Sequence, residues 1–202
     1  MSDAAMSRPE SLAPARPGHI VDVLIEERAP KLSRSALWPV MRPLLYALLG
    51  YRKARAMADA IAPMGGKAAL DFVSDLLGID VAVTGQHLLP RQGRLVIVAN
   101  HPTGIADGVA VYDALKAVRP DIIFYANSDA HRVCAQFDET LIPVEWVAAK
   151  RTRDRTRLTL TMTREVLEEE RALMVFPAGR LARRDANGVL TDPAWMPTAI
   201  SV

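Results

Sequence analysis

The stretch Val98-Ala99-Asn100-His101-Pro102-Thr103-Gly104-Ile105-Ala106-Asp107-Gly108 holds an imidazole and a carboxylate six positions apart, with a Pro-Thr-Gly turn between them. A neutral imidazole can take a proton from a hydroxyl near neutral pH. A carboxylate facing the second ring nitrogen fixes the tautomer and stabilises the imidazolium as it forms. The chemistry within reach is base-assisted attack of a hydroxyl, or of water, on an acyl carbonyl. Backbone N–H groups at the start of a following helix would supply donors for the developing oxyanion. The same residues also suit a capped turn with a structural histidine, so position decides between the two.

A strand and a helix must position this pair. Leu95 to Ala99 is a continuous branched apolar run, the pattern of a buried strand, and Ile105 to Val118 reads as a helix. His101 then falls past the carboxyl end of a strand, where ligands bind in open α/β sheets. Alternation over Ile79 to Thr84 predicts a strand before it. Further strands are predicted within Asp121 to Ala126, Thr140 to Val144 and Ala172 to Phe176, with a helix over Thr156 to Glu170. The expected fold class is α/β, with a mixed, mostly parallel sheet flanked by helices.

Residues 1–18 read as a disordered tail rich in Ser, Ala and Pro. Residues 19–77 read as a helical N-terminal segment. Its helices are expected at Ile20 to Arg28, at Leu37 to Ala62 with a break near Gly50 and Tyr51, and at Lys67 to Leu77. The α/β domain takes in residues 78–202. The run Pro193 to Val202 looks like the start of another helix, so the domain is expected to be truncated at its C-terminus.

Half of the 202 residues are hydrophobic and 24% are charged, which supports a core and excludes wholesale disorder. A net charge of +2 and 5% aromatics argue against a dedicated nucleic-acid binder. The single cysteine, Cys134, allows no internal disulfide and no cysteine-based zinc site, and reads as a small buried apolar residue. His19, His87 and His131 lack partners at metal-like spacing, so no metal is expected. No signal peptide and no run of about 20 apolar residues is present. The stretch Leu37 to Leu49, with Trp38, Tyr46 and flanking arginines, suits either packing against the sheet or a helix lying at a membrane interface. Lys150 to Arg184 carries ten basic residues against five acidic ones. That is either a solvated helix face or an attraction for phosphate.

Asn-His-Pro-x-Gly-x-x-Asp-Gly resembles the first motif of the glycerolipid acyltransferase superfamily, which contains the 1-acylglycerol-3-phosphate acyltransferases. Five residues, Pro102 to Ala106, separate His from Asp where four are commoner, and that spacing resembles the hemolysin-like branch. Val83-Thr84-Gly85 through Leu89-Pro90, then Gly93 to Asn100, resembles the family's approach to this motif. Val175-Phe176-Pro177-Ala178-Gly179-Arg180 resembles its Phe-Pro-Glu-Gly loop, with Ala178 in place of Glu. Ile142 to Trp146 occupies the place of the second motif, and Trp146 stands where Arg is expected. The resemblance covers roughly residues 80–200.

The resemblance implies transfer of a fatty acyl group from an acyl-CoA or acyl-carrier-protein thioester to a hydroxyl of a lysophospholipid or related lyso-lipid, with no metal and no further cofactor. His101 would be the base and Asp107 its orienting partner, with Asn100, Thr103 and Gly104 shaping the turn. Phe176, Pro177, Gly179 and Arg180 would border the acceptor's anionic group. Lys150 and Arg151 would stand in for the missing arginine. The expected setting is peripheral, on the cytoplasmic face of a membrane. Two other readings stay open: a non-catalytic lipid-binding or membrane-associated protein on the same fold, and a hydrolase of a lipid ester or thioester.

Overall fold

Residues 18–145 and 150–195 are described by the computed structural model. Two units, Met1–Ala58 and Asp59–Val202, divide the chain. In the first, α1 (Ile20–Arg28) starts at His19, whose Nδ1 accepts from the Val21 N–H at 3.2 Å. Pro30 opens the one-turn α2 (Pro30–Ser33), where its missing N–H is harmless. Helix α3 (Trp38–Leu48) runs on through Pro43, and the break before α4 (Tyr51–Ile61) comes at Gly50, which takes φ +70°. Trp38 is buried, whereas Leu37, Val40, Leu44 and Leu48 lie exposed along one side of α3. Tyr46 stacks on Tyr51 at 4.1 Å, and the Tyr51 hydroxyl donates to Asp22 at 2.9 Å.

The second unit runs through α5 (Gly66–Leu77), β1 (Leu95–Val98), α6 (Ile105–Leu115), β2 (Ile123–Asn127), α7 (Asp129–Val133), β3 (Leu141–Val144), α8 (Arg153–Glu168) and β4 (Ala172–Val175). A hairpin of β5 (Arg183–Arg184) and β6 (Leu190–Thr191) follows. The sheet order is β1-β4-β2-β3 and every pair in it is parallel. The expected α/β class with a helical N-terminal segment is the class observed. The expected mixture of strand directions is absent from this sheet, and the antiparallel pair is the separate β5–β6 hairpin.

Burial explains the strand signals in the interior of the sheet, whereas β1, expected to be buried, is an edge strand with Val96 and Val98 each 42% exposed. The central β4 is fully buried along its length, and Leu173 and Val175 join Ile123, Ile142 and Val166 in the core. Helix α8 packs on this core through Val166 and Met162. Its Thr163 hydroxyl shares a hydrogen bond with the Tyr125 hydroxyl at 2.8 Å, and Thr159 donates to the Pro143 carbonyl at 2.6 Å. Helices α5 and α6 meet through polar pairs: Tyr112 to Asp71 at 2.7 Å and Ser74 to Asp113 at 2.6 Å.

One expected strand does not form. Ile79 to Thr84 is irregular, and β1 takes its ladder partner from β4. Ile79 and Val81 are half-buried while Asp80 and Ala82 are exposed, so the alternation reported burial without pairing. Helix α8 begins before Thr156 because Thr152 caps it, accepting from the Arg155 N–H at 3.3 Å. It ends at Glu168, ahead of Glu170 with φ +57°. Pro193 to Trp195 is irregular, and the rest of the helix expected there lies outside the described residues, as do Trp146 and residues 1–17.

The amino-terminal edge of the sheet is held by Arg119, whose side chain is 0% exposed. Its Nε and Nη2 reach the two Asp121 oxygens at 2.9 and 2.7 Å, and the guanidinium also donates to the Pro90 and Glu170 carbonyls. Arg171 adds bonds to the carbonyls of Asp121 and Glu139. Arg119→Met would strand these acceptors. It is expected to cost about 2–3 kcal/mol, read as a lower midpoint in urea unfolding. His131 offers a pH test. Neither ring nitrogen makes a well-aligned hydrogen bond among the described residues. Burial holds its pKa below the ordinary 6.5, partly offset by the Leu141 backbone and Asp138. The unfolded chain therefore takes this proton more readily than the folded one, and stability is lost as pH falls below about 6.5. His131→Leu is expected to flatten that decline, measured by thermal melts between about pH 7 and pH 5.

Candidate active site

Strand β1 delivers His101 just past its last paired residue. Val98 sits beside Val175 in register, and the Ala99 N–H donates to the Val175 carbonyl at 3.3 Å. The two chains leave the sheet together, which explains the stacking of the His101 imidazole on the Phe176 ring at 4.3 Å. The imidazole is 22% exposed, open on one side and backed by Phe176 on the other.

Asp107 closes the turn. Its Oδ2 accepts from the backbone N–H groups of Thr103 and Gly104, both at 2.8 Å, and its Oδ1 accepts from the Thr103 hydroxyl at 2.6 Å. Oδ2 also lies 3.1 Å from His101 Nδ1. That approach is off the ring axis, so Nδ1 makes no well-aligned hydrogen bond. A proton taken up elsewhere on the ring would place positive charge directly opposite this carboxylate. Catalytic hydrogen bonds are often long or poorly aligned before substrate binds. Asp107 stands in the first turn of α6, where the helix dipole favours its negative charge. This network absorbs the five-residue spacing between His101 and Asp107. Gly104 makes the bend with φ +85° and ψ −121°, a conformation that side chains disfavour.

His101, Thr103, Gly104, Asp107 and Phe176 are therefore brought together. Asn100 lies exposed beside them. Pro177 is fully buried, and Gly179 turns the loop with φ +60° while its N–H bonds the Phe176 carbonyl at 3.0 Å. Ala178 is buried and Arg180, two residues on, is exposed. Lys150 and Arg151 are not part of this cluster. Arg151 Nε donates to the Glu145 carbonyl beyond β3, three strand spacings from β1, or roughly 14 Å across the sheet. Nearby, Arg155 pairs with the largely buried Glu145 carboxylate at 2.8 Å. All four parallel strands end on this one edge, so the basic cluster shares it with His101 at the opposite end.

Sequence reasoning missed the β5–β6 hairpin and Asp192. The Ala182 N–H donates to the His101 carbonyl at 3.2 Å, and the Asp192 carboxylate faces the His101 N–H. Asn187-Gly188 is a hairpin-turn signal that could have found the hairpin. No local pattern marks Asp192. Among the described residues no cluster of His, Cys, Asp and Glu could hold a metal ion.

A family model described as Acyltransferase matches residues 80–196. The chain is 28% identical over 137 residues to a lyso-glycine lipid O-acyltransferase of Bacteroides thetaiotaomicron, a match covering 66% of this chain and 48% of that protein. It is 26% identical over 138 residues to a lyso-glycine lipid O-acyltransferase of Phocaeicola vulgatus, covering 67% and 47%. The chain spans about half the length of these curated relatives.

Gly104 and Gly108 should respond in opposite directions to alanine. At Gly104 a Cβ would meet a positive φ and the Leu181 Cδ2 at 3.3 Å, so Gly104→Ala is expected to cost about 1–2 kcal/mol. At Gly108, inside α6, a Cβ would have no neighbour within 4 Å, so Gly108→Ala is expected to add about 0.5–1 kcal/mol. Chemical denaturation of the two variants checks both signs.

Proposed function

The chain belongs to the acyltransferase family, and on that premise we propose that it moves a fatty acyl group from a thioester donor to a hydroxyl of a lyso-lipid, with His101 as general base. The observation that carries this reading is the His101–Asp107 pair at the carboxyl end of β1, with Asp107 Oδ2 3.1 Å from Nδ1. Nδ1 faces the carboxylate, which leaves Nε2 as the nitrogen for the acceptor hydroxyl. As the hydroxyl oxygen attacks the thioester carbonyl, Nε2 takes its proton and the carbon–oxygen bond forms. The tetrahedral oxyanion then collapses, the carbon–sulfur bond breaks, and the imidazolium returns the proton to the leaving thiolate. Asp107 stabilises the imidazolium between the two steps. No covalent acyl-enzyme and no metal is required.

The relatives' names support a lyso-lipid acceptor with a small anionic head group. The exposed Arg180 at the exit of β4 suits such a group. The donor is a CoA or carrier-protein thioester. The exposed apolar side of α3 supports peripheral attachment to a membrane. From Ser35 to Ala58 the chain carries Arg42, Arg52, Lys53 and Arg55 and no acid, which favours an anionic lipid surface. No helix among the described residues is long and apolar enough to cross a membrane.

The test is acceptor-dependent thiol release, with acyl-CoA and acyl-carrier-protein donors set against a panel of lyso-lipids. His101→Ala is expected to lower the rate about a hundredfold or more. Thiol release without an acceptor would convert the reading to hydrolysis. Silence with both donors, alongside intact binding to anionic vesicles, would leave a lipid-binding protein.

A further inference from the structure

The ladder between β1 and β4 ends at the Ala99 N–H, so the sheet does not hold the backbone of His101. Something else must, because a general base displaced by about 1 Å can cost a hundredfold in rate. The segment after Gly179 supplies the hold. It leaves the Phe176 loop, forms the β5–β6 hairpin and returns to the same residue. At the outgoing end the Ala182 N–H donates to the His101 carbonyl at 3.2 Å. At the returning end both Asp192 oxygens accept from the His101 N–H, at 3.3 and 3.4 Å. Both backbone polar groups of His101 are thus taken by the two ends of one hairpin.

The hairpin is closed by its own hydrogen bonds. The Asp185 N–H donates to the Val189 carbonyl at 2.9 Å, and Asp185 Oδ1 accepts from the Asn187 and Val189 N–H groups at 2.8 and 2.9 Å. Arg184 Nη1 closes the turn on the Gly188 carbonyl at 2.7 Å. Leu181, next to the outgoing tie, is the side chain that lies over Gly104. The brace therefore touches the turn at His101 and at the bend toward Asp107.

We infer that Asp192 is a positioning residue for the acyl-transfer reaction: its carboxylate, with the Ala182 N–H, fixes the peptide that carries the His101 imidazole. The inference rests on the reading of His101 as the base. Asp192 touches neither the ring nor any reacting atom. Its part is to accept one hydrogen bond, the His101 N–H shared between its two oxygens at 3.3 and 3.4 Å.

The test compares Asp192→Ala with Asp192→Asn in the thiol-release assay, with His101→Ala alongside. Asp192→Ala is expected to lower kcat about tenfold or more with KM within about twofold, since ground-state binding is untouched. Asp192→Asn keeps an acceptor oxygen and is expected to retain most of kcat. A parallel readout, independent of turnover, is the backbone amide of His101 by NMR. Its exchange with solvent should quicken in Asp192→Ala and stay slow in Asp192→Asn. Wild-type kcat or unchanged amide exchange in Asp192→Ala would overturn the inference. So would equal losses in the Ala and Asn variants, which would point to charge instead. If Asp192→Ala melts below the assay temperature, slow exchange and preserved kcat in Asp192→Asn support the brace, and their loss overturns it. If His101→Ala turns over normally, the reading of the base fails. If His101→Ala is inactive and Asp192→Ala is not, the brace alone fails.

Discussion

Asp107 accepts from the Thr103 N–H, the Thr103 hydroxyl and the Gly104 N–H before it meets His101 at all. All three donors belong to the turn itself, and bonds to a charged acceptor are the stronger kind. The turn cannot relax without surrendering them. That constraint sets where β1 can end and α6 can begin. It puts Gly104 at the cap position with positive φ, and Leu181 occupies the space a side chain there would need. The carboxylate is thus committed to the turn, and its contact with the imidazole follows from where the turn leaves it. A carboxylate held this way needs no separate support for its own geometry.

The two edges of the parallel sheet divide their labour. At the amino edge, Arg119 and Arg171 gather carbonyls from several segments around one carboxylate, away from His101. At the carboxyl edge the polar groups are grouped by strand: the imidazole and its acid after β1, the Phe176 loop after β4, and the Glu145–Arg155 pair after β3. Parallel strands bring all their carboxyl ends to one side, so the His101 turn and the Arg119 network fall on opposite edges.

How much of this was legible follows from what each signal measures. The apolar run at Ala172 marks a strand enclosed by packing, the run at Leu95 marks an edge strand with Val96 and Val98 exposed, and α6 and α8 show the helical period. Ile79 to Thr84 has the right alternation and still forms no ladder, since periodicity senses burial and is blind to pairing. The His101–Asp107 pair was legible because both residues sit on one short turn. Asp192 was not, because a contact across 91 positions leaves no local trace. Arg119 looks like any arginine until the carbonyls around it are seen. The far placement of Arg151 was hidden for a related reason: strand order is not written in any one strand.

The order β1-β4-β2-β3 also carries a history. The strand at the centre is the last of the four to leave the ribosome. While β1, β2 and β3 are already made, β1 has no neighbour to pair with until β4 slides in between it and β2. The same late segment brings Phe176 and then the hairpin whose ends hydrogen-bond the His101 backbone. Loop-closure entropy must be met before such distant pairings reward it, so this topology belongs with the slower folders. The turn that carries His101 is synthesised before β4, so it acquires its walls only once that later segment has been made. During that interval the nascent sheet is an open edge, the state in which a chaperone has most to protect.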